Sequence, residues 1–141
     1  MSRLTVYNQF KSKDGLLNAL AAEALAVGAP QLAESKPGSP LEQLEQVLEA
    51  TCARWASDPA LFRRLPAIQS ATDVDEAAYR HIAERLADAD QLRAGCSIKE
   101  AEDVIALLTS FPAFDHLHKD GRRSTAAVTG ILTRLAAAIL A

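Results

Sequence analysis

Five residues near the start of the chain, Arg3, Thr5, Tyr7, Lys11 and Lys13, are of the types that hold a phosphate backbone. Lysine and arginine neutralise phosphates, while hydroxyls and helix N-termini hydrogen-bond their oxygens. Residues 1–13 contain no acid and carry +3, so the net charge of −3 on the whole chain leaves −6 on the remainder. A net acidic chain is not a nucleic-acid binder over its whole surface. A basic tip on an acidic body is the pattern expected of a DNA-reading end attached to a sensor.

Other reactive side chains make weaker cases. His116-x-His118, flanked by Asp115 and Asp120, could chelate, but a structural metal site needs four ligands at matched spacing, so a solvated loop is expected and no metal. Ser110 lacks the G-x-S-x-G setting of an activated serine. Cys52 and Cys96 match neither a C-x-x-C nor a zinc spacing and are expected as reduced thiols, Cys52 on an apolar helix face. Nothing resembles a glycine-rich phosphate loop. Neither an enzyme nor a cofactor is expected.

A second group of residues suits a small-molecule pocket: Cys52, Trp55, Phe62, Leu65, Ile68, Tyr79, Ile82, Phe111 and Phe114. Pockets in helical bundles are lined by apolar and aromatic side chains with a few polar groups for orientation. Trp55 and Tyr79 combine an apolar body with a hydrogen-bonding tip, and Gln69, Thr72 and His81 could add polar contacts. No charged residue is evident on the apolar stripes, so an apolar or aromatic ligand is expected. The same residue types at helical spacing also make an ordinary core.

The elements that must position these residues are all helical. The chain has 141 residues, 49% hydrophobic but only 5% aromatic, and alanine and leucine suit helices where strands want β-branched and aromatic residues. Ser12 can cap a long helix that fades at Gly28-Ala29-Pro30. Ser39-Pro40-Leu41-Glu42 combines an N-cap, a first-turn proline and a capping-box glutamate, and opens a stripe of Leu44, Val47, Leu48, Thr51, Cys52 and Trp55. Asp58-Pro59 starts another helix, with Leu61, Phe62, Leu65 and Ile68 inward and Pro66 dividing it. Asp73-x-x-Glu76 opens a third stripe through Tyr79, Ile82 and Leu86. Ser97-Ile98-Lys99-Glu100 starts a helix expected to run through Val104, Ile105, Leu107 and Leu108 to Phe111 and Pro112. Ser124 begins the last. No strand pattern, internal repeat, leader or apolar run of membrane-spanning length is evident, so a cytoplasmic all-α protein is expected, with no membrane partner.

The run Thr5-Val6-Tyr7-x-x-Phe10-x-Ser12-Lys13-x-x-Leu16 resembles part of the helix-turn-helix of the TetR family of bacterial transcriptional regulators. In that family the recognition helix, the turn after it and the start of the next helix read roughly T-[LV]-Y-x-x-F-x-[SN]-K-x-x-L. Thr5, Val6, Tyr7, Phe10, Ser12, Lys13 and Leu16 meet every fixed position of that pattern. The passage Leu107 to Asp115, a polar loop and a final helix are similar to the family's last two helices. The resemblance implies that Tyr7 and Lys13 hold phosphates and that Arg3 and Thr5 lie nearest base edges. A helix-turn-helix places its second helix in the major groove and braces it with the first, which needs about 30 residues ahead of the recognition helix. One residue precedes Ser2. Residues 1–11 are therefore expected to be the remnant of a DNA-binding domain, and 12–141 a helical ligand-binding and dimerisation domain that binds DNA only if the bracing helices are supplied. The alternative is a dimeric helical protein that binds a small molecule or a partner and no longer binds DNA.

By resemblance the last two helices pair with their symmetry mates, and the residues of the final helix agree. Val128, Ile131, Leu132, Leu135 and Ile139 fill one stripe, while Ala127, Gly130, Ala137 and Ala138 leave the flanks small. A helix apolar on more than one face must be covered on more than one. Val104, Leu108, Val128, Ile131, Leu132, Leu135 and Ile139 are thus expected at a two-fold homodimer interface.

Overall fold

A computed structural model describes residues 38–65 and 73–141, the side chains of the second segment from 75 onward, and Leu16 and Ala19 as helical residues. Arg3, Thr5, Tyr7, Lys11 and Lys13, expected to contact DNA, together with Pro66, Ile68, Gln69 and Thr72, lie outside the described residues. Every described element is a helix: α1 (Pro40–Ser57), α2 (Pro59–Arg64), α3 (Asp73–Asp88), α4 (Ile98–Leu108), α5 (Phe111–Asp115), a π-helical turn (His116–Asp120) and α6 (Thr125–Leu140). The protein is all-α.

Local chemistry sets where these helices begin. Ser39 Oγ accepts the Glu42 amide at 3.1 Å and Glu42 Oε2 accepts the Ser39 amide, a complete capping box, with Pro40 in the first turn. Asp58 accepts the Leu61 amide to start α2. Ser97, Ser110 and Ser124 each accept the amide three residues ahead. A single cap of this kind is worth about 1 kcal/mol. Helix α2 stops at Leu65, whose φ of −121° and ψ of 75° lie outside the helical region that a following proline disfavours.

The four long helices close a ring of neighbours, α1 on α3, α3 on α4, α4 on α6 and α6 on α1, with α5 and the π turn packed against one end. Each helix contributes one stripe to the core. Leu44, Val47, Leu48 and Cys52 come from α1, Ile82 and Leu86 from α3, and Ala101, Ile105 and Leu108 from α4. Helix α6 supplies Val128, Leu132, Ala136 and Leu140 at a strict four-residue interval. Burial of each large aliphatic side chain contributes roughly 1.5–3 kcal/mol before entropy is charged against it. Arginines pin α1 to α3 at both ends. Arg54, in the last turn of α1, pairs with Asp75 in the first turn of α3. Arg85, in the last turn of α3, donates to Gln43 Oε1 and to the Gly38 carbonyl at the start of α1. The two helices are therefore antiparallel and fixed in register.

Two departures from expectation concern the far end of the bundle. Helix α4 ends at Leu108 rather than continuing through Phe111. Thr109 Oγ1 turns back to the Ile105 carbonyl, and Ser110 caps a new helix in which Pro112 occupies the first turn. Hydroxyl side chains that bond the local backbone compete with helix continuation. His116 to Asp120, expected as a loop, form a π turn, in which the Gly121 amide reaches the His116 carbonyl at 3.0 Å and the Arg123 amide the His118 carbonyl at 3.2 Å.

Candidate ligand site in the aromatic cluster

Four of the expected pocket residues come together. Trp55 on α1 meets Phe62 on α2 edge-on, with ring centroids 4.7 Å apart and planes at 88°, and Phe111 on α5 at 5.5 Å and 70°. Phe62 and Phe111 are 5.7 Å apart, and Phe114 extends the row 6.4 Å beyond Phe111. All four rings are buried. Edge-to-face pairs at these distances contribute about 0.5–1.5 kcal/mol beyond their area. Leu65, which follows α2, is half-buried.

A polar network borders the cluster. Trp55 Nε1 donates to the Thr109 carbonyl at 2.9 Å, so the indole satisfies a carbonyl left over where α4 breaks. Thr51 and Thr109 both hydrogen-bond the Tyr79 hydroxyl, yet burial dominates and pushes its pKa up from the ordinary 10.0. Burial likewise raises the Cys52 thiol, although a hydrogen bond with Thr129 of α6 partly opposes it. Cys52 and Ile82 thus face the general core, and His81 is exposed on the outside of α3.

The expectation that no charge enters the apolar stripes is corrected by Arg54 and Asp75. Their side chains are 4% and 2% exposed, and two hydrogen bonds of 3.0 and 3.3 Å join guanidinium to carboxylate. The guanidinium carbon also lies 5.8 Å from the Trp55 ring centroid. Both positions were open to discovery from spacing. Arg54 follows Val47 by two helical turns, and Asp75 precedes Tyr79 and Ile82 by four and seven residues, so each continues its own apolar stripe. The charge of the side chain masked the signal.

The residues expected at a dimer interface divide. Val128, Leu132 and Leu108 are packed inside the subunit, because the four-residue interval of α6 aims that line at α1. Leu135 and Ile139, each 42% exposed, and the half-exposed Ile131 form the adjacent line on the outer side. On α4, Val104 is half-exposed, while Leu107, expected inward, is 66% exposed. These are outward-facing apolar side chains of α4 and α6.

The remaining candidates have structural partners. His116 Nδ1 pairs with Asp120 at 3.4 Å, and the His118 ring stacks on Phe114 at 4.9 Å. Among the described residues no three histidine, cysteine or acidic side chains gather where a metal could bind. Ser110 is a helix cap, and the Cys96 thiol donates to the Ser97 carbonyl. Among the described residues no helix is long and apolar enough to cross a membrane. Comparison with known protein families, curated proteins and solved structures finds no match to this chain.

Proposed function

We propose that this chain is a TetR-like transcriptional regulator, or its sensor-and-dimer part, working in the cytoplasm as a repressor released by a small apolar or aromatic effector. The observation that carries the reading is the run Thr5-Val6-Tyr7-x-x-Phe10-x-Ser12-Lys13-x-x-Leu16, which meets the family's pattern at every fixed position. A helical body with an aromatic cluster beside a polar network, and an outward apolar line on its last helix, agrees with that reading. In the proposed mechanism, two subunits place their recognition helices in successive major grooves, and the helix expected from Ser12 links reader to sensor. An effector acts by binding one arrangement of the dimer more tightly than the other, which shifts the population away from the DNA-bound form. No catalytic step is involved.

DNA recognition needs the bracing helices ahead of the recognition helix. Joined to an in-frame upstream segment encoding two amphipathic helices, the protein is expected to form a sequence-selective complex with DNA from its own control region. Residues 1–141 alone should give only weak binding that fades with salt. Within the restored protein, Lys13→Ala should weaken binding on all sequences alike, as a phosphate contact does. Nanomolar selective binding by residues 1–141, or none with the upstream helices present, overturns the reading.

A further inference from the structure

Helix α2 has six residues, too few to persist by itself in water, so side-chain contacts must hold it down. Among the described residues, contacts of two adjacent side chains do so. Phe62 is buried against both Trp55 and Phe111, which also touch each other. Arg63 makes three hydrogen bonds of 2.8–3.1 Å to the Asp115 carboxylate of α5, in an ion pair whose members are 33% and 22% exposed. Asp58 ends α1 and caps α2 with φ of −157° and ψ of 74°, outside the helical region, so the two helices meet at one non-helical residue.

We propose that α2 is a flap hinged at Asp58 and latched by the Arg63–Asp115 pair, and that its opening withdraws Phe62 and offers the space beside Trp55 and Phe111 to a ligand carrying a single six-membered aromatic ring. The chemistry is set by the surface that Phe62 leaves behind. Trp55 presents the ring that met Phe62 edge-on, and Phe111 closes the other side. The indole N–H is already donated to the Thr109 carbonyl, so the exposed surface is apolar and a phenyl-sized group recovers the lost contacts. A partly exposed latch is weak enough to open and is screened by salt. The flap rests on the proposed effector class only for its use, because its opening is measured without DNA.

The test uses toluene as the probe and the indole N–H resonance of Trp55, the chain's one tryptophan. Toluene should shift that resonance in the unaltered protein. The α2 amides should exchange with solvent faster than those of α1, through an opening that does not follow global unfolding. Arg63→Gln and Asp115→Asn should each raise the opening constant and the apparent toluene affinity about two- to fivefold, since affinity scales with the open fraction. Exchanging the charges, Arg63→Asp with Asp115→Arg, should return both toward their original values. Phe62→Ala should bind toluene without needing the latch to open. Exchange of α2 only by global unfolding overturns the flap. A Trp55 resonance that ignores toluene in the folded Arg63→Gln and Asp115→Asn proteins overturns the ring site. Neither outcome bears on whether the restored protein selects DNA, so the two failures are distinguishable.

Discussion

Arg54 and Asp75 place two full charges where the surrounding residues are apolar, and the cost of that burial is met by their mutual hydrogen bonds. Removing one member breaks a buried, doubly hydrogen-bonded charge pair and leaves the other charge poorly compensated. Arg54→Met is expected to cost about 3–5 kcal/mol in urea unfolding, whereas Arg54→Met combined with Asp75→Leu should recover most of that loss. Equal destabilisation by the single and double variants would show that the pair does not act as a unit. Titration provides a second test at this scale. Burial raises the pKa of Cys52 above 9.0 and that of Tyr79 above 10.0, so the folded state holds both protons more tightly than the unfolded chain. Their contribution is complete below the unfolded values and lost as pH climbs through the folded ones. Stability should therefore fall as pH rises above about 9, and Cys52→Ala should flatten the lower part of that fall.

At the scale of elements, α6 carries a division of labour along its length. One line, Val128, Leu132, Ala136 and Leu140, packs inward, and the neighbouring line of Ile131, Leu135 and Ile139 looks outward. Gly130 lies on the exposed side, and a Cβ built there meets nothing within 4 Å. Its helical backbone therefore bears an entropic cost with no steric compensation inside the subunit. Gly130→Ala should raise thermal stability by roughly 0.5–1 kcal/mol. If the small residues on this side admit a second subunit, the same substitution should weaken self-association. Gain in stability without change in association would place Gly130 away from any interface.

Among the described residues, the exposed large apolar side chains lie on α4 and α6, which are neighbours in the ring of helices. A second copy related by a two-fold axis is the commonest cover for such a surface. Sedimentation equilibrium at micromolar concentration is expected to give the mass of a dimer. Leu135→Asp with Ile139→Asp should yield a folded monomer with unchanged helix content. Val128→Asp or Leu132→Asp should unfold the subunit instead, since those side chains are 0% and 2% exposed within it. A monomer mass for the unaltered protein, or a dimer indifferent to the outer substitutions, would remove this surface from consideration.

Residue order by itself determined the all-α class and the starts at Ser39, Asp58, Ser97 and Ser124, because each cap is a hydrogen bond spanning three residues. The apolar stripes of α1 and α3 were equally legible, since the helical period comes from backbone geometry. The end of α4 was not. Leu107, Leu108 and Phe111 keep helical spacing, and that period hides the local break made by the Thr109 and Ser110 hydroxyls. Spacing also marked Trp55, Phe62, Phe111 and Phe114 as candidates without saying that they would share one cluster. Only the packing of α1, α2 and α5 decided that. The burial of Arg54 and Asp75, and the division of α6 into inner and outer lines, were decided there as well. A helical period tells which residues share a face, but what that face meets depends on helices far away in sequence.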